Sequence, residues 1–337
     1  MSVVAIAPLR LPARVLRRTA VHAGLVAAVL AVGCLALMLG DYRLTVGQVL
    51  GALVGDPGPA HFVVVELRAP RWVLGVLVGL AFGVSGALFQ TSLRNPLASP
   101  DVLGVSQGAS AAAVATLLVG GASGWAMTAA AAGGGVLVGV LLYAVAWKQG
   151  TTGQRFVLSG IGVAYLAGSV VGYLLTRSDV RDAQAALTWM TGSLGQSSWQ
   201  LVQVLGPVLL VLLPLAALLA RGLDLLQLGD DRAASLGRRP EVVRGGAVLL
   251  GVLLASAATA AAGPVAFVAF AAAPIARRLL GDGTPGLAAS GLVGVVLVTA
   301  SDVVAQHLLP VDVPVGIVTG ALGAPVLIWL LARRRTS

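Results

Sequence analysis

Long apolar runs separated by short polar ones organise this chain. Apolar stretches recur at 20–40, 71–90, 102–119, 127–146, 156–175, 200–220, 245–263, 264–280, 287–306 and 315–332. A helix needs roughly 20 apolar residues to cross the hydrocarbon core of a bilayer. The pattern therefore predicts an all-α polytopic membrane protein with about ten transmembrane helices. The stretch 264–280 is the weakest, because Pro264 opens it and Arg277 and Arg278 close it. No soluble segment of domain size is left over. The expected organisation is a tail at 1–19, one membrane domain at 20–332 and a short tail at 333–337. The first stretch is too long for the apolar part of a signal peptide, and no small-residue cleavage site leads into a soluble remainder.

Two polar interruptions stand out. The first is TSLRNPLASPDVLGVSQGAS, residues 91–110. Pro96 and Pro100 cannot continue a helix, and Asn95 and Ser99 can bond the backbone groups this frees. A tight crossing is expected over 91–101. The second is the longest inner segment, RGLDLLQLGDDRAASLGRRPEVVR, residues 221–244. Within it, Gly229 to Gly237 has the marks of a short helix. Asp230 and Asp231 suit the free N–H groups and positive dipole end of its start, and Gly237 offers a left-handed stop. Two readings stay open: a solvated connector, or a helix shown to a cytosolic partner, with small Ala233 and Ala234 admitting close contact.

Composition agrees with the pattern. Of 337 residues, 58% are hydrophobic and only 10% charged, whereas soluble domains devote about a quarter to charge. Mean hydropathy is +0.94. The net charge of +9 raises the question of nucleic acid, and charge placement answers it. With ten spans and the N-terminus inside, only Arg43, Arg68, Arg71, Arg177 and Arg181 fall in outer segments. Every other basic residue is inner, including Arg94, Lys148, Arg221, Arg244, Arg277 and Arg278. This positive-inside bias puts both termini in the cytoplasm. The basicity orients the chain in the bilayer and does not imply nucleic acid.

Lipid offers no hydrophobic force between helices, so small residues must let backbones approach. The chain has 44 glycines. Gly75, Gly79 and Gly83 recur on the second span, Ala164, Gly168 and Gly172 on the fifth, and Gly316 with Gly320 on the tenth. These read first as packing stripes. Charged residues inside spans mark ion relays, and here they are scarce. Asp302 lies near the outer end of the ninth span and Glu66 just before the second; capping or pairing is expected of both. His22, His61 and His307 are scattered without metal-ligand spacing, so no metal and no cofactor is expected on this chain. Cys34 is alone. No nucleophile, base and carboxylate come together as a membrane enzyme needs. The only lysine is Lys148, in WKQG; a P-loop needs Gly-Lys-Ser/Thr. If ATP drives this protein, another polypeptide binds it.

At this point five stretches resemble a known family. They are RAPRWVLGVLVGLAFGVSGALFQTSLRNPLASPDVLGVSQGAS, WMTGSLGQSSW (189–199), LGDDRAASLG (228–237), AGPVAFVAFAAAPIARRLLG (262–281) and VPVGIVTGALGAPVLIWLL (313–331). In order and over nearly the whole chain, they are similar to the permease subunits that import iron–siderophore, haem and cobalamin complexes. The resemblance implies a type II ABC importer. Its parts are two ten-helix permeases, two ATPase subunits and an external substrate-binding protein, set in the cytoplasmic membrane of a bacterium.

The resemblance also implies roles. Gly229, Asp230, Asp231, Arg232, Ala233, Ala234, Leu236 and Gly237 would contact the ATPase. Ser159, Tyr165, Ser169 and Thr319 would line the path on the fifth and tenth spans. Arg68 and Arg71 would dock the binding protein, and Asn95, Pro96 and Pro100 would lie near the inner gate. Spans 2–5 and 7–10 of the family repeat in opposite orientations; here the likeness of RAPRWVLG to RRPEVVRG is faint.

Two features depart from the pattern or refine it. Where members read A-P-H-I-x-R, this chain has Ala273-Pro274-Ile275-Ala276-Arg277. The text around Gln306 and His307 resembles the second permease of ferric-enterobactin-type systems, which work as heterodimers. The expected cargo is a ferric siderophore, with cobalamin or haem as the alternative. A gradient-driven secondary transporter is the competing reading from another class; the scarcity of buried carboxylates weighs against it.

Overall fold

A computed structural model describes residues 13–56, 58–147, 153–281 and 283–332. The tails at 1–12 and 333–337, and Lys148, lie outside the described residues. What is described is all helical. In chain order come α1 (Ala13–Met38), α2 (Val46–Val54), α3 (Pro59–His61), a π-helical run (Phe62–Arg68) that leads without a break into α4 (Ala69–Ser92), α5 (Val105–Leu118), α6 (Trp125–Trp147) and α7 (Gly153–Arg177). Then follow α8 (Val180–Met190), α9 (Trp199–Leu226), α10 (Asp230–Ser235), α11 (Pro240–Ala262), α12 (Val268–Leu280), α13 (Leu287–His307) and α14 (Val315–Ala332).

Each apolar stretch read from the sequence coincides with one of these helices. Among the described residues, seven helical segments are long and apolar enough to cross a membrane. The helices α5 and α12 are shorter, 14 and 13 residues. At 1.5 Å per residue they reach only about 20 Å, against a hydrocarbon core of about 30 Å. Irregular backbone precedes each, and membrane-depth irregular backbone is tolerated only where protein covers it. The covering here is partial, with Leu97 and Val102 exposed. Ala98, Ser99 and Leu103 before α5 are buried, as is Val265 before α12. The two segments also share a build: a proline, then a left-handed residue as N-cap, Gly104 (φ +82°) and Phe267 (φ +65°).

The most buried helix is α4. It packs against α13, α11, α12 and α9, and Phe82, Leu88 and Phe89 on it are wholly buried. The glycine stripe explains how α13 comes so close. A Cβ at Gly79 would stand 2.6 Å from the Val295 Cα, and one at Gly83 would meet the Ser290 carbonyl. The other stripes are not alike. On α7, Ala164 packs on Gly104, but Gly168 and Gly172 meet nothing within 4 Å. On α14, a Cβ at Gly316 would meet the Thr191 carbonyl while one at Gly320 would meet nothing within 4 Å. Reading all three as internal packing holds for α4 and only half for the other two, because periodicity marks a face without saying what covers it.

Candidate functional site

The crossing between α4 and α5 is built as the sequence expects, and more besides. After Ser92 the helix α4 ends in a paired-bond stop: Asn95 N–H donates to the Gln90 carbonyl (3.1 Å) and Arg94 N–H to that of Thr91 (3.3 Å). In this motif the left-handed position is usually glycine. Here it is Arg94, at φ +49°, a conformation costing an L-residue about 1–2 kcal/mol. Beyond it the Asn95 side-chain oxygen accepts from Leu97 N–H (3.0 Å) and the Ser99 hydroxyl from Val102 N–H (3.3 Å). These two side chains replace the backbone partners that Pro96 and Pro100 interrupt. Further up α4, buried Gln90 donates to the Phe270 carbonyl (3.0 Å) and accepts from Arg277, tying α4 to α12.

The segment Gly229–Gly237 forms α10 and its caps. Gly237 is left-handed at φ +77°, and Arg238 N–H closes back on the Ala233 carbonyl at 3.0 Å. Two expectations are corrected. No side chain caps the start of α10, whose N-cap is Gly229; Asp230 is instead held by arginines. One Nη of Arg244 donates to both its carboxylate oxygens at 3.0 Å, and Arg94 donates to Oδ1 at 2.5 Å. Burial opposes ionisation of Asp230, but Arg244 and then Arg94 outweigh it and hold the carboxyl below the usual carboxylate range. The second correction concerns the alanines. Ala233 is 0% exposed and belongs to the main apolar core, so it faces its own bundle. The outward face carries Asp231, Arg232, Ala234, Ser235 and Leu236.

The end of the bundle where α4 begins holds a cavity of about 310 Å³ whose lining includes Asp41, Arg68, Arg71, Asp302, Gln306 and His307. Arg71 grips Asp302 with two bonds, Nε to Oδ2 (3.0 Å) and Nη2 to Oδ1 (2.8 Å). Gln306 adds a third at 2.7 Å. Asp302 thus pairs near the outer end of its helix, as expected of it. Arg68 donates to the carbonyls of Leu37 (2.8 Å) and Tyr42 (2.7 Å), satisfying the end of α1. Arg68 and Arg71, expected from the resemblance to dock the binding protein, both bond within the chain, because their long side chains reach acceptors that sequence distance hides.

The proposed path residues separate. Tyr165 is 76% exposed on α7, and Ser169 is exposed with its hydroxyl bonded back to the Tyr165 carbonyl (2.9 Å). Ser159 is half-buried. Thr319 is only 4% exposed and bonds its own helix at Gly316 (3.2 Å). Two faces result, one open on α7 and one closed on α14 at this level.

The sequence profile described as the FecCD transport family matches residues 28–333. The chain belongs to the FecCD transport family. Its curated relatives are permeases. The ferric enterobactin transport system permease protein FepG of Escherichia coli (strain K12) is 39% identical over 309 residues, 91% of this chain and 94% of the relative. The achromobactin transport system permease protein CbrC of Dickeya dadantii (strain 3937) is 41% identical over 315 residues, 91% and 89% of the two chains. A solved metal-chelate type ABC transporter in an inward-facing conformation superposes with a TM-score of 0.82 at 24% identity, covering 94% of this chain and 99% of that one; this likeness establishes the fold. This FecCD-family chain is accordingly a multi-pass permease subunit of an ABC importer and not an enzyme.

Sequence reading missed the partners of Asp230. Arg94 and Arg244 lie 136 and 14 residues away, and only the left-handed Arg94 backbone, invisible in sequence, signals that position.

Proposed function

We propose that this permease is one half of an ATP-driven importer that carries a ferric siderophore inward across the bacterial cytoplasmic membrane. The observation that carries the reading is the family match over residues 28–333 together with the siderophore permeases among the relatives. Ten crossings with both termini cytoplasmic fit the helix order and the charge asymmetry. Two ATPase subunits supply the energy, and the outward face of α10 is the surface offered to one of them. A binding protein delivers the chelate at the outer cavity, where Asp41 and Asp312 add to the charges already described. The partner permease is a different chain, in keeping with the Gln306–His307 text and the enterobactin-type relative. The path runs between the two permeases along the open face of α7, where Tyr165, Ser169 and Tyr173 are exposed.

The test is reconstitution. The chain, co-purified with an ATPase and a partner permease, is placed in liposomes with a binding protein outside. It should accumulate a radiolabelled ferric siderophore only with ATP inside. Uptake driven by an ion gradient alone would overturn the ATP-driven reading. Preferential uptake of cobalamin or haem would overturn the cargo.

A further inference from the structure

Asp230 sits where three remote parts of the chain converge. Arg94 belongs to the stop of α4, Arg244 to the second turn of α11, and Asp230 opens α10. Each arginine does more than pair. Arg244 also donates through Nε to the Ser92 carbonyl (3.2 Å), and Arg94 also donates to the Leu226 carbonyl at the end of α9. One carboxylate therefore joins α10 to the last turn of α4, the end of α9 and the start of α11. Through Arg94 that junction includes the start of the irregular crossing 93–104.

The backbone supplies a second, independent observation. Arg94 occupies the left-handed position of a helix stop in which glycine carries no steric penalty. An arginine there is strained, and the strain is met by what its side chain does: it is the group that reaches α10. Strained residues cluster where structure couples to function.

We propose that Asp230 is the link that transmits displacement of α10 to the inner crossing, with Arg94 and Arg244 as its two attachments. The inference rests on the reading of α10 as the ATPase-facing element. When the ATPase shifts α10, the carboxylate draws Arg94, and with it the end of α4 and the crossing at Asn95–Pro100. The two arms differ in stiffness. Both arginines also bond a backbone carbonyl, but the Arg244 side chain is 11% exposed, whereas that of Arg94 is 41% exposed. Arg244 acts as the fixed pivot and Arg94 as the moving arm.

Arg94→Gly separates this role from a merely structural one. Glycine relieves the left-handed strain while removing the arm, two changes of opposite sign, so the folded subunit should keep its thermal stability. The assembled importer is reconstituted with its ATPase, partner permease and binding protein, and uptake per ATP hydrolysed is measured beside melting temperature and ATPase association. The expected result is wild-type stability and association, with ATP hydrolysis continuing while uptake per ATP falls about fivefold, the low end of a coupling between sites. Asp230→Asn should move the same ratio in the same direction, and Arg94→Lys, which keeps the charge, should retain most of it. Wild-type uptake per ATP in Arg94→Gly overturns the link. So does a fall in uptake matched by an equal loss of stability or ATPase binding, which marks a structural staple. A wild-type complex without ATP-dependent uptake would instead overturn the functional reading beneath it.

Discussion

Arg71 and Asp302 show how a single pair redirects an experiment. Their side chains are 25% and 8% exposed and bonded twice, so removing one partner strands the other in a poorly solvated place. Arg71→Ala should lower stability by about 3 kcal/mol, at the low end for a broken buried pair, read as a melting temperature in detergent. Restoring a neutral match with Asp302→Asn should recover part of it; an unchanged melting temperature for Arg71→Ala would mean the pair contributes little. A docking assay on Arg71 variants has meaning only after this control. The two alanines of α10 call for the same care. Tryptophan at the exposed position, Ala234→Trp, should leave the subunit stable and block productive contact with the ATPase, so that uptake is lost at normal expression. Ala233→Trp should lower expression and melting temperature, since a 0%-exposed alanine in a packed core has no room for an indole. Full uptake by Ala234→Trp would remove that face from the coupling surface.

At the scale of elements, what matters is which face of each helix is covered. The α4–α13 contact is backbone on backbone: Gly79 lies against Val295 and Gly294, and Gly83 against Ser290 and Gly291. A side chain there cannot be absorbed by a rotamer change, because its neighbours are main-chain atoms. Gly83→Leu should destabilise the isolated subunit by about 3 kcal/mol or more, the upper range of overpacking, seen as a lower melting temperature and poor yield. Gly168→Leu on α7, where nothing lies within 4 Å, should stay within about 0.5 kcal/mol. Equal effects at the two sites would contradict the packing described. The short helices make a related point. Helices α5 and α12 are too short to cross alone, and each is preceded by proline-bearing backbone that is buried in part, at Ala98, Ser99 and Leu103 and at Val265.

For the whole molecule the contrast lies between a closed core around α4 and an open flank on α7. Among the described positions of α7 only Gly160, Ala167 and Val171 are buried, and the helix rests on α5 and, more lightly, α6. The proposed path between two permeases runs along this flank. In a Cys34→Ala background, cysteine at Tyr165 should react with a water-soluble thiol reagent at a rate that changes with nucleotide state. Cysteine at Thr319, which is 4% exposed, should react at least tenfold more slowly, by about the factor that 1.4 kcal/mol of protection represents. Labelling of Thr319 ahead of Tyr165 would move the path to α14.

Hydrophobic periodicity is a local property, and the sequence by itself determined what is local. It carried the all-α membrane class, the position of each apolar stretch, the crossing held by Asn95 and Ser99, the stop at Gly237 and, through ordered motifs, the family. The rest depended on groups far apart in the chain. Asp302 meets Arg71 across 231 residues and Asp230 meets Arg94 across 136. Such pairs leave no periodic trace, so the partners of these arginines are hidden in the sequence alone. Whether a glycine stripe is covered was equally hidden, because a stripe on α4 and one on α7 have the same spacing. Only the packed structure, by pressing the α4 stripe onto backbone atoms of α13 and leaving Gly168 and Gly172 of α7 open, decided which glycines build the core and which face outward.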